Sequence, residues 1–375
     1  MIREETNHIS FQSSTPGSTG VEMEWITVDA SNGKQIPIAP ELLRKIPSTP
    51  RIKQELFTST IEINTNIHHS TTACMDDLSS LREEVIQHLS PMGAALLSSG
   101  THPFSRWRDQ VVSDDPRYHR LLERLQWMAH RFNIFGIHVH VGMPDGDSCI
   151  HVMNQLLPIS PVFLAISANS PFWQGDDTGL CSSRVKIFEG LSQGGMPFYF
   201  HDWQDFEHCA GRLLATGSVD SVRDIWWEMR PHPDFGTLEI RIGDMPATKN
   251  DASAYIAYAR AEVMAAMNIE PGKKVHPSLI RENRWRACRY GMQSEIIDPV
   301  SEEPISLLFW IEKRLHWLAE HGAESADLTI VKEQLPHWHK SGDGAARQRM
   351  LFQQSNSLEN LVDLMMQTDG WSQPL

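Results

Sequence analysis

The chain has 375 residues, of which 41% are hydrophobic and 21% are charged, so it holds enough apolar material for a large core. A formal net charge of −14 argues against nonspecific binding to nucleic acid or to an anionic membrane. The five cysteines are scattered and never stand in CxxC spacing. This argues against a disulfide framework or a zinc knuckle and favours a reducing compartment.

The chain shows one compositional boundary, close to its start. Residues 1–17 are polar and end in Pro16-Gly17, which predicts a flexible tail. Residues 18–375 contain no linker-like block, so we expect a single domain there. The start of the chain lacks the pattern of a signal peptide, and we expect no run of the about 18 apolar residues that span a membrane. A soluble, cytoplasmic protein without a membrane partner is the resulting prediction.

The first predicted strand, residues 18–28, alternates between polar and apolar side chains. Glu22 and Glu24 share one face, and Val21 and Met23 share the other. Two acids side by side repel each other unless a cation or solvent relieves the repulsion. The pair therefore indicates either metal ligands or a solvated edge strand.

Residues 51–65 are rich in β-branched side chains and predict a further strand. Its polar face carries Thr60, Glu62 and Asn64. Glu55 lies at an odd separation from Glu62, which places it on the opposite face of an unbroken strand. It would join the same site only from a bulge or from the entering loop, and periodicity alone makes it a surface residue.

Helical patterns over 72–90 and 117–132 precede another strand, residues 136–142. His138 and His140 share one face of this strand. A His-x-His pair on a strand binds a metal in some proteins, whereas in others one ring is a satisfied core residue. Both interpretations are open at this point.

A mostly apolar helix over 146–168 leads into a polar loop, residues 169–184. The donors of this loop, Arg184 among them, suit an anionic substrate. A solvated loop has the same composition, so the loop alone does not decide between the two.

Residues 224–244 predict two strands joined by turn residues at 232–234 and flanked by helices at about 202–216 and 250–268. An acid and an arginine share a face on each strand, Glu228 with Arg230 and Glu239 with Arg241. This pattern is typical of a site on a sheet or of a hairpin with cross-strand ion pairs.

From residue 275 onward the pattern predicts helices, including segments near 303–320, 324–335, 342–353 and 357–367. The run 283–291 carries several arginines, Arg289 among them, which could line a phosphate pocket or form an ordinary basic helix surface. Apolar residues at 307–317 suit either a core or a dimer interface.

Paired polar residues recur on separate predicted strands, which indicates a sheet with one charged, cavity-forming face. Carboxylates dominate this face and cysteine is absent from it, which favours Mg²⁺ or Mn²⁺ over zinc. The chain has neither a P-loop nor a GxGxxG motif after a strand. If it binds a nucleotide, metals and arginines must therefore hold the phosphates.

Several motifs now match a known family in order and spacing. They are V-E-M-E at 21–24, E-x6-E at 55–62, G-T-H-P-F at 100–104, G-I-H-V-H-V-G at 136–142, S-S-R at 182–184, M-R-P-x-P-x-F-G-T-L-E-I-R at 229–241 and R-Y-G at 289–291. Together they resemble the carboxylate–amine ligases of the glutamate–cysteine ligase type 2 family, the YbdK-like enzymes. The resemblance runs from about residue 18 to the C-terminus.

This resemblance implies an α+β, glutamine-synthetase-like fold in which a curved, mainly antiparallel sheet forms a funnel with helices packed outside. It also implies ATP-dependent ligation of an amino-acid carboxylate to an amine through an acyl phosphate, with Mg²⁺ (or Mn²⁺) bound. The product would be an amide such as the γ-glutamyl compound of glutamate and cysteine, released with ADP and phosphate. A homodimer is a further family-level expectation.

The resemblance also assigns roles to residues. The implied metal ligands are Glu22, Glu24, Glu55, Glu62, His140 and Glu239. Arg241 would meet the transferred phosphoryl group and, with Glu239, act in catalysis; Arg184 would bind the amino-acid carboxylate. Arg289, from the arginine run and not from the resemblance, is a further candidate for binding phosphate or substrate. His138 is expected to be a supporting or core residue. Glu228 and Arg230 gain no role from the resemblance and are expected to support the cavity wall.

Two other functions suit the same residues. A metal-dependent hydrolase using His138 and His140 would bind Zn²⁺ and act without ATP. A ligand-binding relative would keep the fold and lose turnover, although the chain keeps every acidic residue of the motifs.

Overall fold

The computed structural model describes residues 8–47, 49–368 and 370–371. The strands in this part of the chain are β1 Thr19–Asp29, β2 Ile52–Gln54, β3 Thr60–Asn64, β4 Ala94–Leu97, β5 Gly136–Gly142, β6 Phe172–Trp173, β7 Asp176–Asp177, β8 Gly194–Gly195, β9 Trp226–Trp227, β10 Met229–His232, β11 Thr237–Asp244, β12 Glu295–Ile297 and β13 Pro304–Ser306. The helices are α1 Ala39–Lys45, α2 Thr71–Leu89, α3 Pro116–Leu125, α4 Trp127–His130, α5 Gly146–Leu156, α6 Ser160–Ser167, α7 Arg184–Phe188, α8 Trp203–Ala215, α9 Lys249–Met267, α10 Pro277–Tyr290, α11 Leu307–Glu320, α12 Ser325–Ser341, α13 Gly344–Ser355 and α14 Leu358–Gln367.

Seven of these strands form the central sheet, in the order β10-β11-β5-β1-β3-β2, with β4 paired to the far end of β1. The neighbouring strands run antiparallel, as predicted. The apolar side chains of β1, at positions 21, 23 and 25, are buried completely or nearly so. Helices α2, α5, α6 and α9 pack against the sheet, so its apolar back belongs to the main core.

Segment Gly146–Ser167, with a mean hydropathy of 1.6 over its most apolar window, could cross a membrane by length and composition alone. No run of that kind was expected. In the structure the segment forms α5 and α6, and 78% of that window is buried inside the protein. The segment packs against α9, α10 and β11. Burial in the core accounts for its apolar composition.

Two segments differ from the predicted elements. The run 51–65 forms β2 and β3, which pair with each other across a turn instead of making one strand. Residues 295–306 form the hairpin β12–β13, whose second strand occupies the start of the helix predicted near 303–320. The first difference matters for the site because Glu55 lies in the β2–β3 turn.

The predicted flexible tail, residues 1–17, is described only from residue 8. Residues 12–17 form backbone hydrogen bonds to the strand ends and turns beside the sheet. The backbone amide of Gln12 donates to the Pro233 carbonyl at 2.9 Å, and that of Ser14 donates to the Met143 carbonyl at 2.9 Å. Gly236, at a φ of 63°, has no side chain that would collide with Gln12. That residues 18–375 form a single domain stays a prediction.

Arg260 of α9 joins the N-terminal and C-terminal parts of the chain. Its guanidinium is fully buried. Its donors reach Asp327 Oδ2 at 2.9 Å, Glu324 Oε1 at 2.9 Å, Gly17 O at 2.6 Å, Thr19 Oγ1 at 2.5 Å and His69 O at 3.0 Å. Removing the cation would leave the Asp327 carboxylate buried without its charge partner.

We therefore expect Arg260→Met to lower the free energy of unfolding by about 3–5 kcal/mol. The control is Lys273→Ala, because Lys273 pairs with Glu302 at the surface, where the side chains are 87% and 55% exposed. We expect the control to change stability by less than about 1 kcal/mol. Urea unfolding followed by circular dichroism measures both changes. Equal midpoints for the two variants would contradict the role given to Arg260.

Candidate active site

A cavity of about 240 Å³ opens on the polar face of the central sheet. Ten of the residues singled out from the sequence line it: Glu22, Glu24, Glu55, Glu62, His138, His140, Arg184, Arg230, Glu239 and Arg241. They come from segments far apart in the chain, so the fold brings together most of the predicted site.

The strand register explains this convergence. Glu239 of β11 lies opposite His140 of β5. Glu22 of β1 lies opposite His138 of β5, and two residues along β1, Glu24 lies opposite Glu62 of β3. Because side chains alternate between faces, these pairs must all lie on the same side of the sheet.

The first group of candidate metal ligands consists of Glu22, His140 and Glu239, here called the histidine cluster; one donor atom from each lies within 4.8 Å of the others. His140 Nδ1 is 2.9 Å from Thr237 Oγ1. When Nδ1 carries the proton and donates it there, Nε2 keeps its lone pair. Nε2 is buried without a hydrogen-bond partner among the described residues, 3.6 Å from Glu22 and 3.7 Å from Glu239. This donor set fits a divalent cation.

The second group, here called the carboxylate cluster, consists of Glu24, Glu55 and Glu62, with one oxygen from each again within 4.8 Å of the others. Glu55 reaches it from the β2–β3 turn, which is the loop position that its spacing required. Burial, together with the charge of Glu62, raises the pKa of Glu55 well above its ordinary value. Three oxygen ligands that repel one another fit a hard cation such as Mg²⁺.

Several donors hold the carboxylate cluster in place. The Gly136 amide donates to Glu24 at 2.7 Å, and the Tyr118 hydroxyl donates to Glu55 at 3.1 Å. Asn64 and Lys53 reach the same oxygen of Glu62, at 2.9 and 2.7 Å. Lys53 is the only lysine or arginine that forms an ion pair with this cluster among the described residues, so its negative charge is only partly balanced.

Arginines balance the histidine cluster instead. Burial alone would raise the pKa of Glu239, but the charges of Arg230 and Arg241 outweigh it and hold that pKa well below its ordinary value. Arg230 donates to Glu239 at 2.6 Å and to the carbonyls of three residues before β10, so it is a fixed support. Arg241 also pairs with Glu239, but its Nε is buried without a partner among the described residues.

Arg184, at the start of α7, lies over β5 and lines the cavity. Its guanidinium donates to the carbonyls of Ile242 and Arg241 at 3.2 and 3.4 Å, and its Nε has no partner within the described residues. Gly136 permits this approach, because a Cβ there would collide with the guanidinium. A buried cation without a carboxylate partner is suited to an incoming anion.

Asp244, which the sequence analysis missed, positions Arg184. This fully buried carboxylate accepts hydrogen bonds from Ser170 Oγ at 2.7 Å and Ser182 Oγ at 2.9 Å. Ser170 Oγ in turn accepts the Arg184 amide at 3.1 Å. The available signal was an acid at a position where the alternation of β11 predicts an apolar side chain, because Asp244 continues the every-second-residue series Leu238, Ile240 and Ile242.

Two predicted residues are not brought into the cavity. Glu228 is fully buried and pairs with Arg284 of α10. Arg289 lies five positions farther along α10, on another side of the helix, where its guanidinium stacks 5.0 Å from the Tyr290 ring centroid. The structure therefore does not support a phosphate-binding role for Arg289. Glu228 supports the fold beside the cavity lining, where its carbonyl accepts the Arg241 amide at 2.7 Å.

His138 differs from His140 in its contacts. Its Nδ1 is 3.1 Å from Glu22 Oε2, and it does not belong to either cluster of candidate ligands among the described residues. This placement suits a residue that orients Glu22. Among the described residues, only His140 of the two belongs to a candidate ligand group, so the structure brings one imidazole and not two to the histidine cluster.

Comparisons with known proteins agree with this architecture. The sequence profile of the glutamate–cysteine ligase family 2 matches residues 18–364. A relative from Gloeobacter violaceus, named after glutamate–cysteine ligase 2, is 42% identical over 365 residues, covering 94% of this chain and 97% of its own. A solved glutamate–cysteine ligase from Francisella tularensis, in complex with AMP, superposes with a TM-score of 0.73 at 13% identity over 96% of this chain and 89% of its own. A bifunctional glutathione synthetase from Pasteurella multocida superposes with a TM-score of 0.70 at 17% identity, covering 95% of this chain and 52% of its own.

The chain therefore belongs to the glutamate–cysteine ligase family 2, which confirms the resemblance drawn from the motifs. The predicted fold class and the predicted enzyme class, an ATP-dependent carboxylate–amine ligase, are confirmed with it.

The two clusters predict separable metal binding. After EDTA treatment, we expect Mn²⁺ titration followed by electron paramagnetic resonance to show loss of one class of sites in His140→Ala and of another in Glu55→Gln. Each affinity should fall at least about tenfold, the loss seen even when a supporting residue is removed. His339→Ala and Glu312→Gln are matched controls, because these residues pair with each other at the surface. Unchanged Mn²⁺ binding in both test variants would rule out the clusters as metal sites.

Proposed function

We propose that the cavity is where this ligase activates a carboxylate with ATP and joins it to an amine, with Mg²⁺ or Mn²⁺ held by the two clusters. The observation that carries the proposal is the unpartnered Nε2 of His140, buried between the carboxylates of Glu22 and Glu239. A γ-glutamyl amide is the expected product; the family name gives glutamate and cysteine as one such pair, and the identity of the amine is a separate question.

The reaction needs two displacements. A carboxylate oxygen first takes the γ-phosphoryl group of ATP, which releases ADP and forms an acyl phosphate. The amine nitrogen then attacks the acyl carbon, phosphate leaves, and the nitrogen loses a proton. The bound cations would neutralise negative charge that builds up on the phosphoryl oxygens.

The protein side chains divide this work. Arg241 offers a fixed cation beside the histidine cluster, where it can stabilise charge on the transferred group without reorganisation. Arg184 has no carboxylate partner of its own among the described residues, so it can bind the α-carboxylate of the amino acid. Arg230 holds Glu239 in position by donating a hydrogen bond to its carboxylate.

Arg241→Ala tests this assignment. We expect ATP-dependent phosphate release to fall about 100- to 1,000-fold, the usual effect of losing one preorganised group at the developing charge. The urea midpoint should stay close to that of the unchanged protein, because Glu239 keeps Arg230 as its partner. Arg349→Ala is the control, since Arg349 pairs with Asp177 outside the cavity. Full phosphate release by Arg241→Ala would contradict the assignment.

Glu239→Gln is expected to differ from Arg241→Ala in stability. It removes a metal ligand, but it also leaves the buried Arg230 without its carboxylate partner. We expect it to lose both phosphate release and about 3–5 kcal/mol of stability. Calorimetric unfolding beside the activity assay separates the two variants. A Glu239→Gln protein as stable as Arg241→Ala would refute the supporting role of Arg230.

The hydrolase and ligand-binding alternatives make different predictions from the ligase. A hydrolase would turn over without ATP, and a ligand-binding relative would release no phosphate with any amine. The homodimer and the cytoplasmic location stay predictions.

A further inference from the structure

We propose that the amine acceptor of this ligase carries a bulky apolar or aromatic group that packs on one wall of the cavity. The inference rests on the proposed function and names its amine class. The residues that form this apolar wall are Leu56, Tyr118, Leu121, Phe132 and Trp226.

The apolar wall is a continuous surface that does not belong to the main core. Leu56 and Tyr118 form a separate cluster against which Leu121 and Phe132 pack. The Phe132 ring meets Trp226 edge to face, with 6.1 Å between centroids. Leu121, Phe132 and Trp226 are only partly buried. The wall therefore offers an apolar surface to whatever enters the cavity.

The position of the wall indicates which substrate it receives. Tyr118 donates to Glu55, so the wall adjoins the carboxylate cluster, whose charge is only partly balanced by Lys53. Arg117 and Arg124 flank the wall itself, 5.8 Å from the Tyr118 ring centroid and 5.7 Å from that of Trp226, so the wall would select an amine by its apolar surface and not by attracting an ammonium group. Arg230 and Arg241 lie at the histidine cluster, where they suit the phosphates of ATP and not the amine.

A second aromatic surface is available for the nucleotide. His232 and Phe235 stack with 4.0 Å between ring centroids, and Arg223 lies 5.8 Å from the Phe235 ring. The His232 ring is 5.5 Å from that of His140, so this stack adjoins the histidine cluster. A nucleobase can pack here while its phosphates meet the arginines. The apolar wall is then left for the amine.

Size decides between amines. The side chain of cysteine ends in one thiol and would leave most of the wall in contact with water. Burial of a phenyl or branched alkyl group gains roughly 10- to 100-fold in affinity over such a small group. We therefore expect phenethylamine or phenylalanine to have a kcat/KM at least tenfold above those of cysteine and ethylamine. These values are measured as ATP-dependent amide formation by mass spectrometry, with glutamate as the carboxylate. A preference for cysteine or ethylamine overturns the inference.

Variants locate the effect on the wall. Trp226→Ala should raise the KM for phenethylamine at least tenfold and the KM for ATP less than twofold, and Trp226→Phe should restore most of the affinity for the amine. Phe235→Ala should do the reverse, raising chiefly the KM for ATP. Trp285→Ala is the matched control, because Trp285 is 44% exposed and lies outside the cavity lining. If Trp226→Ala raises the KM for ATP and not for the amine, the wall binds the nucleobase and the inference is wrong.

Trapping the acyl phosphate with hydroxylamine separates this inference from the proposed function. Hydroxylamine is too small to need the wall. Its nitrogen attacks the acyl carbon, phosphate leaves, the nitrogen loses a proton, and a hydroxamate forms. Hydroxamate together with a preference for small amines overturns only the amine class. No ATP-dependent hydroxamate from glutamate, aspartate or any other carboxylate overturns the proposed function, and the inference falls with it.

Discussion

Repulsion among five carboxylates on one face of a sheet is the constraint that the rest of this structure has to meet. They are Glu22, Glu24, Glu55, Glu62 and Glu239. The fold meets the constraint in two ways. At the histidine cluster, buried arginines keep Glu239 ionised, whereas at the carboxylate cluster burial and mutual repulsion raise the pKa values of Glu24 and Glu55. The sheet thus holds two candidate cation sites, one whose negative charge Arg230 and Arg241 offset and one that pairs only with Lys53 among the described residues.

The rigid central sheet keeps these carboxylates close together despite their repulsion. The back of the sheet is anchored in the main core, and the antiparallel register fixes which acid lies opposite which histidine. Arg184 is also fixed from outside the cavity, because its position depends on Asp244 through the hydroxyl of Ser170. Geometry in this site is therefore set by residues that never reach the cavity, which is how precise positioning is usually achieved.

Alternation along strands was enough to predict which side chains share the polar face, because β1 and β5 are regular and β11 keeps its register with β5 through Glu239 and Ile240, before its bulge. It could not place Glu55, because the β2–β3 turn brings its carboxylate back to the polar face. The hydroxyl of Ser113 holds this turn by donating to the Glu55 carbonyl. Nor could it separate Arg289 from Arg284, since a run of arginines does not show which side of a helix packs inward. Asp244 was missed because the alternation of β11 predicts an apolar side chain at its position. Each failure concerns contacts between elements, on which periodicity carries no information.

The chemistry and the choice of amine belong to different parts of the molecule. The sheet supplies the ligands and arginines, while α3 and the segment before β10 supply most of the apolar wall. Arg124 ties these two segments together, with its guanidinium 3.5 Å from Asp224 and 5.7 Å from the Trp226 ring centroid. Leu121 can therefore change without disturbing a metal ligand. Tyr118 cannot, because its ring belongs to the wall and its hydroxyl holds Glu55. Selection for a new amine would therefore be free to change Leu121 but constrained at Tyr118.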